Sequence, residues 1–151
     1  MTDDLKVLLG KEVTGLRFDG EGVLTFQTTE GEFHFVLAGD CCSSSYVTEI
    51  LGVERFLGKG VVSHIEEAEY GERVPEAEYD KVSRHGLRLR CEQGDTYGEP
   101  PELLILWENL SNGYYDGNIE TLEKIETPEK MQPITANWSR PATPPKSEEA
   151  T

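Results

Sequence analysis

SYVTEILGVERFLG, residues 45–58, is the stretch on which the fold class turns. Tyr46, Val47, Ile50, Leu51, Val53, Phe56 and Leu57 make a broad apolar stripe close to the helical period. Read that way, it predicts the main helix of the chain, over about 45–57. Gly52 is the point where this helix would divide. Gly58 would close it from the C′ position, where glycine tolerates a left-handed backbone.

On either side the sequence reads as sheet. Upstream, EVTGLRF, GVLTFQTT and EFHFVLAG are short runs separated by Asp19-Gly20-Glu21-Gly22 and Glu30-Gly31. Leu24 and Phe26 alternate with Thr25 and Gln27, and Phe33, Phe35 and Leu37 with His34 and Val36, so these runs predict an antiparallel meander. Gly15 spoils the alternation of the first run and marks a candidate bulge. DDLKVLLG (3–10) predicts one or two helical turns, with Asp3 or Asp4 as N-cap and Gly10 at C′. Downstream, GVVSHIEEAEY, VSRHGLRLRCEQ, ELLILWENL and YYDGNIETLEKI predict four more strands, with a charged excursion over 72–81. LLGKEVTGL (8–16) and FLGKGVVSHI (56–65) share an apolar pair, Gly-Lys and then a strand, which predicts one helix-to-strand joint used twice. The expected fold class is therefore α+β: a mostly antiparallel sheet with one main helix packed on one face.

The character changes at Thr127. TPEKMQPITANWSRPATPPKSEEAT contains Pro128, Pro133, Pro141, Pro144 and Pro145 and few aliphatics. It predicts an extended or disordered tail over 127–151 behind a single domain of residues 1–126. Trp138 is the tail's one strongly apolar side chain; it either packs back on the domain or stays exposed.

Charge narrows the function classes. The chain has 151 residues, 14 Lys plus Arg against 29 Asp plus Glu, and a net charge of −15. Direct nucleic-acid binding needs a basic footprint, and an anionic membrane surface would repel this chain. A basic protein is the partner that the charge favours. MTDDLKVLLG is too short and too acidic to read as a signal peptide, and the three cysteines form an odd set. Both features lead to the expectation of free thiols in a reducing cytoplasm.

Four groups of residues carry candidate chemistry. Asp40-Cys41-Cys42 precedes the expected helix. A cysteine there could be a nucleophile served by His34, His64 or His85, one ligand of a mixed metal site, or a buried junction beside a cap. No Gly-rich elbow frames the pair, and it is not a spaced CxxC, so the junction is the leading reading and its role stays open. In WENLSNGYYDGN (107–118), Trp107, Asn109, Asn112, Tyr114 and Tyr115 could form a recognition surface around an Asn-Gly turn, or simply a packed hairpin. Arg84, Arg88 and Arg90 stand at even separations, so on a two-residue period they share one strand face opposite Leu87, Leu89 and Cys91. That row could bind phosphate or carboxylate, or pair with acids such as Glu66, Glu67 and Glu69. The acid-rich run 66–80 lacks the spacing of a calcium loop. There is no P-loop, dinucleotide fingerprint, HExxH or GxSxG, so no catalytic residue, metal or cofactor is expected.

Taken together, Asp40-Cys41-Cys42, Tyr46 and Ser111-Asn112-Gly113-Tyr114-Tyr115 resemble motifs of an uncharacterised family of small proteins encoded by bacteriophages, especially those of actinobacteria. The resemblance covers about residues 5–122. Acidic residues common in that family after the cysteines are replaced by Ser43, Ser44 and Ser45. The resemblance implies a viral origin and action in the host cytoplasm; it implies no activity. The leading expectation is a non-enzymatic accessory protein that binds a basic host protein, plausible in counter-defence. The alternative is a small-molecule binder that sequesters a nucleotide-like signal, stacking a base on Trp107 and Tyr114 or Tyr115 and holding phosphate with the arginine row.

Overall fold

The computed structural model describes residues 3–38, 44–73, 81–92, 100–111 and 118–141. Ten strands dominate it: β1 (Val13–Phe18), β2 (Val23–Thr28), β3 (Gly31–Ala38), β4 (Ser44–Leu51), β5 (Val62–Arg73), β6 (Lys81–Cys91), β7 (Glu102–Ser111), β8 (Asn118–Thr121), β9 (Gln132–Pro133) and β10 (Trp138–Ser139). They form two antiparallel five-stranded sheets, in the orders β8-β3-β2-β1-β9 and β10-β4-β7-β6-β5. The inward faces of both sheets feed one buried cluster, which includes Phe18, Phe26 and Phe35 from the first and Leu87, Leu89, Ile105 and Trp107 from the second. This is a two-sheet β architecture, in which each sheet hides its apolar face against the other.

The expected α+β class and its main helix are overturned. Residues 45–51 belong to β4, and only a single turn, α1 (Val53–Phe56), is helical. A β-bulge explains the misleading period. Val47 lies opposite Trp107 and Glu49 opposite Leu106, so Thr48 is an extra residue without a partner of its own on β7. The insertion lets Val47 and Ile50, three apart in sequence, both point into the core, where each is fully buried. Val53 and Phe56 on α1 continue the same spacing into the same core. A spacing of three across a bulged strand and one helical turn thus imitates the face of a continuous helix. Local composition favours the strand, since Tyr46, Val47, Thr48 and Ile50 are aromatic or β-branched. Gly52 then turns the chain. Its φ is 84°, and a Cβ there would collide with the Glu102 carbonyl.

The flanking strands follow the alternation read from the sequence. Leu24, Phe26, Phe35 and Leu37 face the core, with Phe33 partly buried against it. The register of β1 on β2 shifts between Val13 and Gly15, where the alternation fails. Asp19 holds the β1–β2 turn by accepting three backbone N–H bonds, from Glu21, Gly22 and Val23, at 2.8–3.0 Å. The first turn (Asp3–Leu8) is 3-10 rather than α-helical and buries Leu5 and Leu8. Asp4 uses its carboxylate to accept the Thr121 N–H of β8 at 2.8 Å. The two similar joints lie against each other: Gly10 donates to Val62 and Val62 to Lys11, at 2.8 and 2.9 Å.

The expected disordered tail also needs correction up to Pro141. Pro128–Lys130 forms a 3-10 turn, and β9 and β10 join the edges of the two sheets. Ile134 donates to Leu16, Asn137 accepts the Gly52 N–H, and Arg140 donates to Thr48. Trp138 packs edge-on against Phe18 with centroids 4.8 Å apart. This segment therefore straps one side of the structure, while the first 3-10 turn contacts β8 and β5 on the other. Residues 142–151 lie outside the described residues.

Candidate functional site

The outer face of the second sheet holds the charged side chains that the sequence singled out. On β6, His85, Leu87, Leu89 and Cys91 are buried, so the intervening positions face outward. Arg84, Arg88 and Arg90 therefore share one face, as their even spacing predicts. Their carboxylate partners come from β7 rather than from the β5 acids expected. The register sets Arg84 opposite Glu108 and Arg90 opposite Glu102. Ion pairs follow at 3.1 Å for Arg84–Glu108, 2.9 Å for Arg90–Glu102 and 3.0 Å for Arg88–Glu102. Glu102 thus serves two guanidiniums. Arg88 Nε is fully enclosed, yet its approach to Glu102 is not aligned for a hydrogen bond.

Beside this triad lies a cleft of about 520 Å³. Arg88, Arg90 and Glu102 line it, Leu51 and Leu104 give it apolar wall, and Arg55 reaches it from α1. The left-handed Gly52 places Arg55 there. By turning the chain after β4, it sends Val53 and Phe56 inward and leaves Glu54 and Arg55 exposed. Further along the face, Glu108 also accepts the Tyr46 hydroxyl at 2.9 Å, and the Arg140 guanidinium stands 4.4 Å from the centre of the Tyr46 ring.

Among the described residues, β5 is bordered within its sheet by β6 alone, so it is an edge strand; its outer side is bridged to Leu9–Lys11 at Val62, and no strand borders it beyond that. Its sequence VSHIEEAEYGER contains four glutamates. Glu66 lies opposite Arg88 in the ladder and Glu67 opposite Leu87; both side chains are exposed. No ion pair among the described residues reaches either one.

Other sequence expectations fare differently. Trp107 is buried rather than exposed: it is 1% exposed, in the core, with its ring stacked on His85 at 5.7 Å. Strand alternation turns it inward opposite Val47. Trp107 Nε1 and His85 Nε2 are both enclosed without a hydrogen-bond partner among the described residues. Asn109 sits on β7 opposite Ser45 and Ser83. Asp40, Cys41, Cys42, Asn112, Tyr114 and Tyr115 lie outside the described residues. The strand positions flanking their two segments are paired, Ala38 with Asn118 and Ser44 with Leu110.

Cys91 is buried and its thiol donates to the Gly60 carbonyl at 3.5 Å. Burial first, and the Glu12 carboxylate second, push its pKa up to about 11, so it is a neutral thiol at ordinary pH. Two of the candidate bases have local partners: His34 Nδ1 is 2.9 Å from Thr25 Oγ1, and His64 Nδ1 is 2.9 Å from Ser63 Oγ. Among the described residues no three His, Cys, Asp or Glu side chains group as a metal site would need, and no helix is long and apolar enough to cross a membrane.

Sequence reading missed Arg55 and Glu102. Arg55 was hidden on the solvent side of the expected helix. Glu102 carried a signal, since 102, 104, 106 and 108 are alternate positions of one strand, but the register that brings it to Arg90 is a tertiary fact. In comparison with known proteins, the chain matches no family model, and no curated protein or solved structure shows significant similarity to it.

Proposed function

We propose that this protein works by binding a basic partner protein through the acidic edge of its second sheet. The observation that carries the reading is the exposed pair Glu66 and Glu67, which no ion pair among the described residues reaches, on the edge strand β5. The row Arg84, Arg88 and Arg90 is engaged with β7 glutamates, while Glu66 and Glu67 stay exposed on the two opposite faces of the edge strand in a chain of net charge −15.

An unpaired strand edge offers backbone donors and acceptors to an incoming strand. Negative charge along it repels a second copy of the same edge and steers a cationic segment toward it. A basic, extended segment of the partner meets both conditions. The resemblance of the Asp-Cys-Cys and Ser-Asn-Gly-Tyr-Tyr motifs to phage-encoded proteins supports placing that partner in an infected host's cytoplasm, in an accessory or counter-defence role.

The test is capture of host proteins by the tagged chain at low and high salt, repeated with the Glu66→Lys, Glu67→Lys double variant. The expected outcome is a basic protein retained at low salt, released at high salt and absent with the variant. A captured set that is the same for both chains and indifferent to salt would overturn the reading, because the reach of exposed charges shrinks from about 8 Å at physiological ionic strength to about 3 Å at 1 M salt.

A further inference from the structure

We infer that the edge of β4 is a groove for an extended peptide of a partner protein that carries an aromatic residue two positions before an arginine, and that the chain's own strap fills this groove in the free protein. This goes beyond the acidic edge β5: it lies on the opposite border of the second sheet, uses different residues and would stand if that reading failed.

The strap shows what the groove accepts. Its residues run antiparallel to β4, with Trp138 opposite Ile50 and Ser139 opposite Glu49. Hydrogen bonds extend the match at both ends: Asn137 accepts the Gly52 N–H at 2.7 Å, and the Arg140 N–H donates to the Thr48 carbonyl at 2.7 Å. Thr48 is the bulge residue, so the irregularity in β4 supplies an acceptor to the strap. Two side chains add selection. Trp138 lies edge-on against Phe18, with centroids 4.8 Å apart, and packs on the core while staying half-buried. The Arg140 guanidinium stands 4.4 Å from the centre of the Tyr46 ring, whose hydroxyl is anchored on Glu108 at 2.9 Å. Main-chain bonds for alignment and alternate side chains for selection are how a sheet edge reads an added peptide.

The strap is held weakly enough to exchange. Its strands β9 and β10 are two residues long each, and pairings that short belong to the low-stability end of a fold. Residues 123–127, which join it to β8, run outside any strand or helix. The groove itself is fixed from its other side: β4 pairs with β7 from Ser44 to Leu51, and Val47 and Ile50 are fully buried. Release of the strap therefore uncovers a strand edge without dismantling the core. A tethered strap acts at an effective concentration on the order of millimolar, so it excludes dilute peptides until its own contacts weaken or a tighter partner arrives. A second copy's strap would bring the same contacts without the tether, so a partner's segment is the occupant.

Fluorescence anisotropy of a labelled peptide of residues 131–141, titrated with the full chain, tests this; the peptide stands for the partner's segment. Wild type should bind it weakly, because its strap competes. Trp138→Ala, which removes the strap's main anchor, should bind it at least about tenfold tighter. Asn137→Ala, a milder change at an exposed residue, should lie between. A peptide carrying Trp138→Ala should bind neither variant. Adding Glu66→Lys and Glu67→Lys to the Trp138→Ala chain should leave the binding in place, which separates this groove from the acidic edge. Equal affinity in wild type and both strap variants, no saturable binding by either variant, or loss of binding in the combined variant would each overturn the proposal. So would a wild-type chain that is dimeric by light scattering and monomeric as Trp138→Ala, because the occupant would then be a second copy.

Discussion

Cys91 shows how little can be read from a residue type alone. Its position on β6 next to the outward-facing Arg90 places it on the core face, and the fold makes it inert by enclosing it. Folding raises its pKa from 9.0 to about 11, because burial penalises the thiolate and Glu12 opposes it. A group whose pKa is raised on folding contributes stability in full below its unfolded value, and loses it as pH rises through the folded value. The window for this thiol therefore runs from about pH 9 to pH 11. In denaturant titrations, the unfolding free energy should fall more steeply across that window in the wild type than in Cys91→Ala; parallel curves would show that Cys91 is not the group responsible. Arg84, Arg88 and Arg90 were legible at this scale because a two-residue period needs no tertiary knowledge. Trp107 was not, since alternation says that neighbours face opposite ways but not which way is out.

At the scale of the element, β4 is the instructive case. Strands with regular alternation, such as β2 and β3, declare themselves in the sequence. β4 conceals itself because Thr48 is inserted between two core residues, and the resulting spacing mimics a helix. The short C-terminal strands are concealed for another reason. Each is two residues long, below any readable period, and Pro133 sits where an edge tolerates proline. The bulge makes a sharp prediction. Deleting Thr48 brings Val47 and Ile50 to a two-residue spacing, so a regular ladder would still bury both. The protein should keep its β-type circular dichroism and unfold cooperatively, losing about 1–3 kcal/mol for the Thr48 hydrogen bonds to Leu106 and Arg140. Were the segment a helix, the same deletion would rotate every later residue by a third of a turn and abolish folding.

For the whole molecule, the two sheets divide the labour. The first supplies half of the core and, with the strap 131–140 and the first 3-10 turn, spans the sides of the structure. The second carries both candidate binding features: the acidic edge β5 and, on its opposite border, the β4 groove that the strap fills. Net charge was legible from composition, whereas its distribution was not. The strand register decides that the arginines are held by Glu102 and Glu108 while Glu66 and Glu67 are left to solvent. That partition leaves exposed acid on the edge strand, where the proposed basic partner would meet it. The most direct measurement is fluorescence anisotropy of a labelled, lysine-rich extended peptide titrated with the protein at increasing salt. The account predicts saturable binding that weakens about tenfold or more from low to high ionic strength and vanishes in the Glu66→Lys, Glu67→Lys variant. Affinity unchanged in that variant would contradict it.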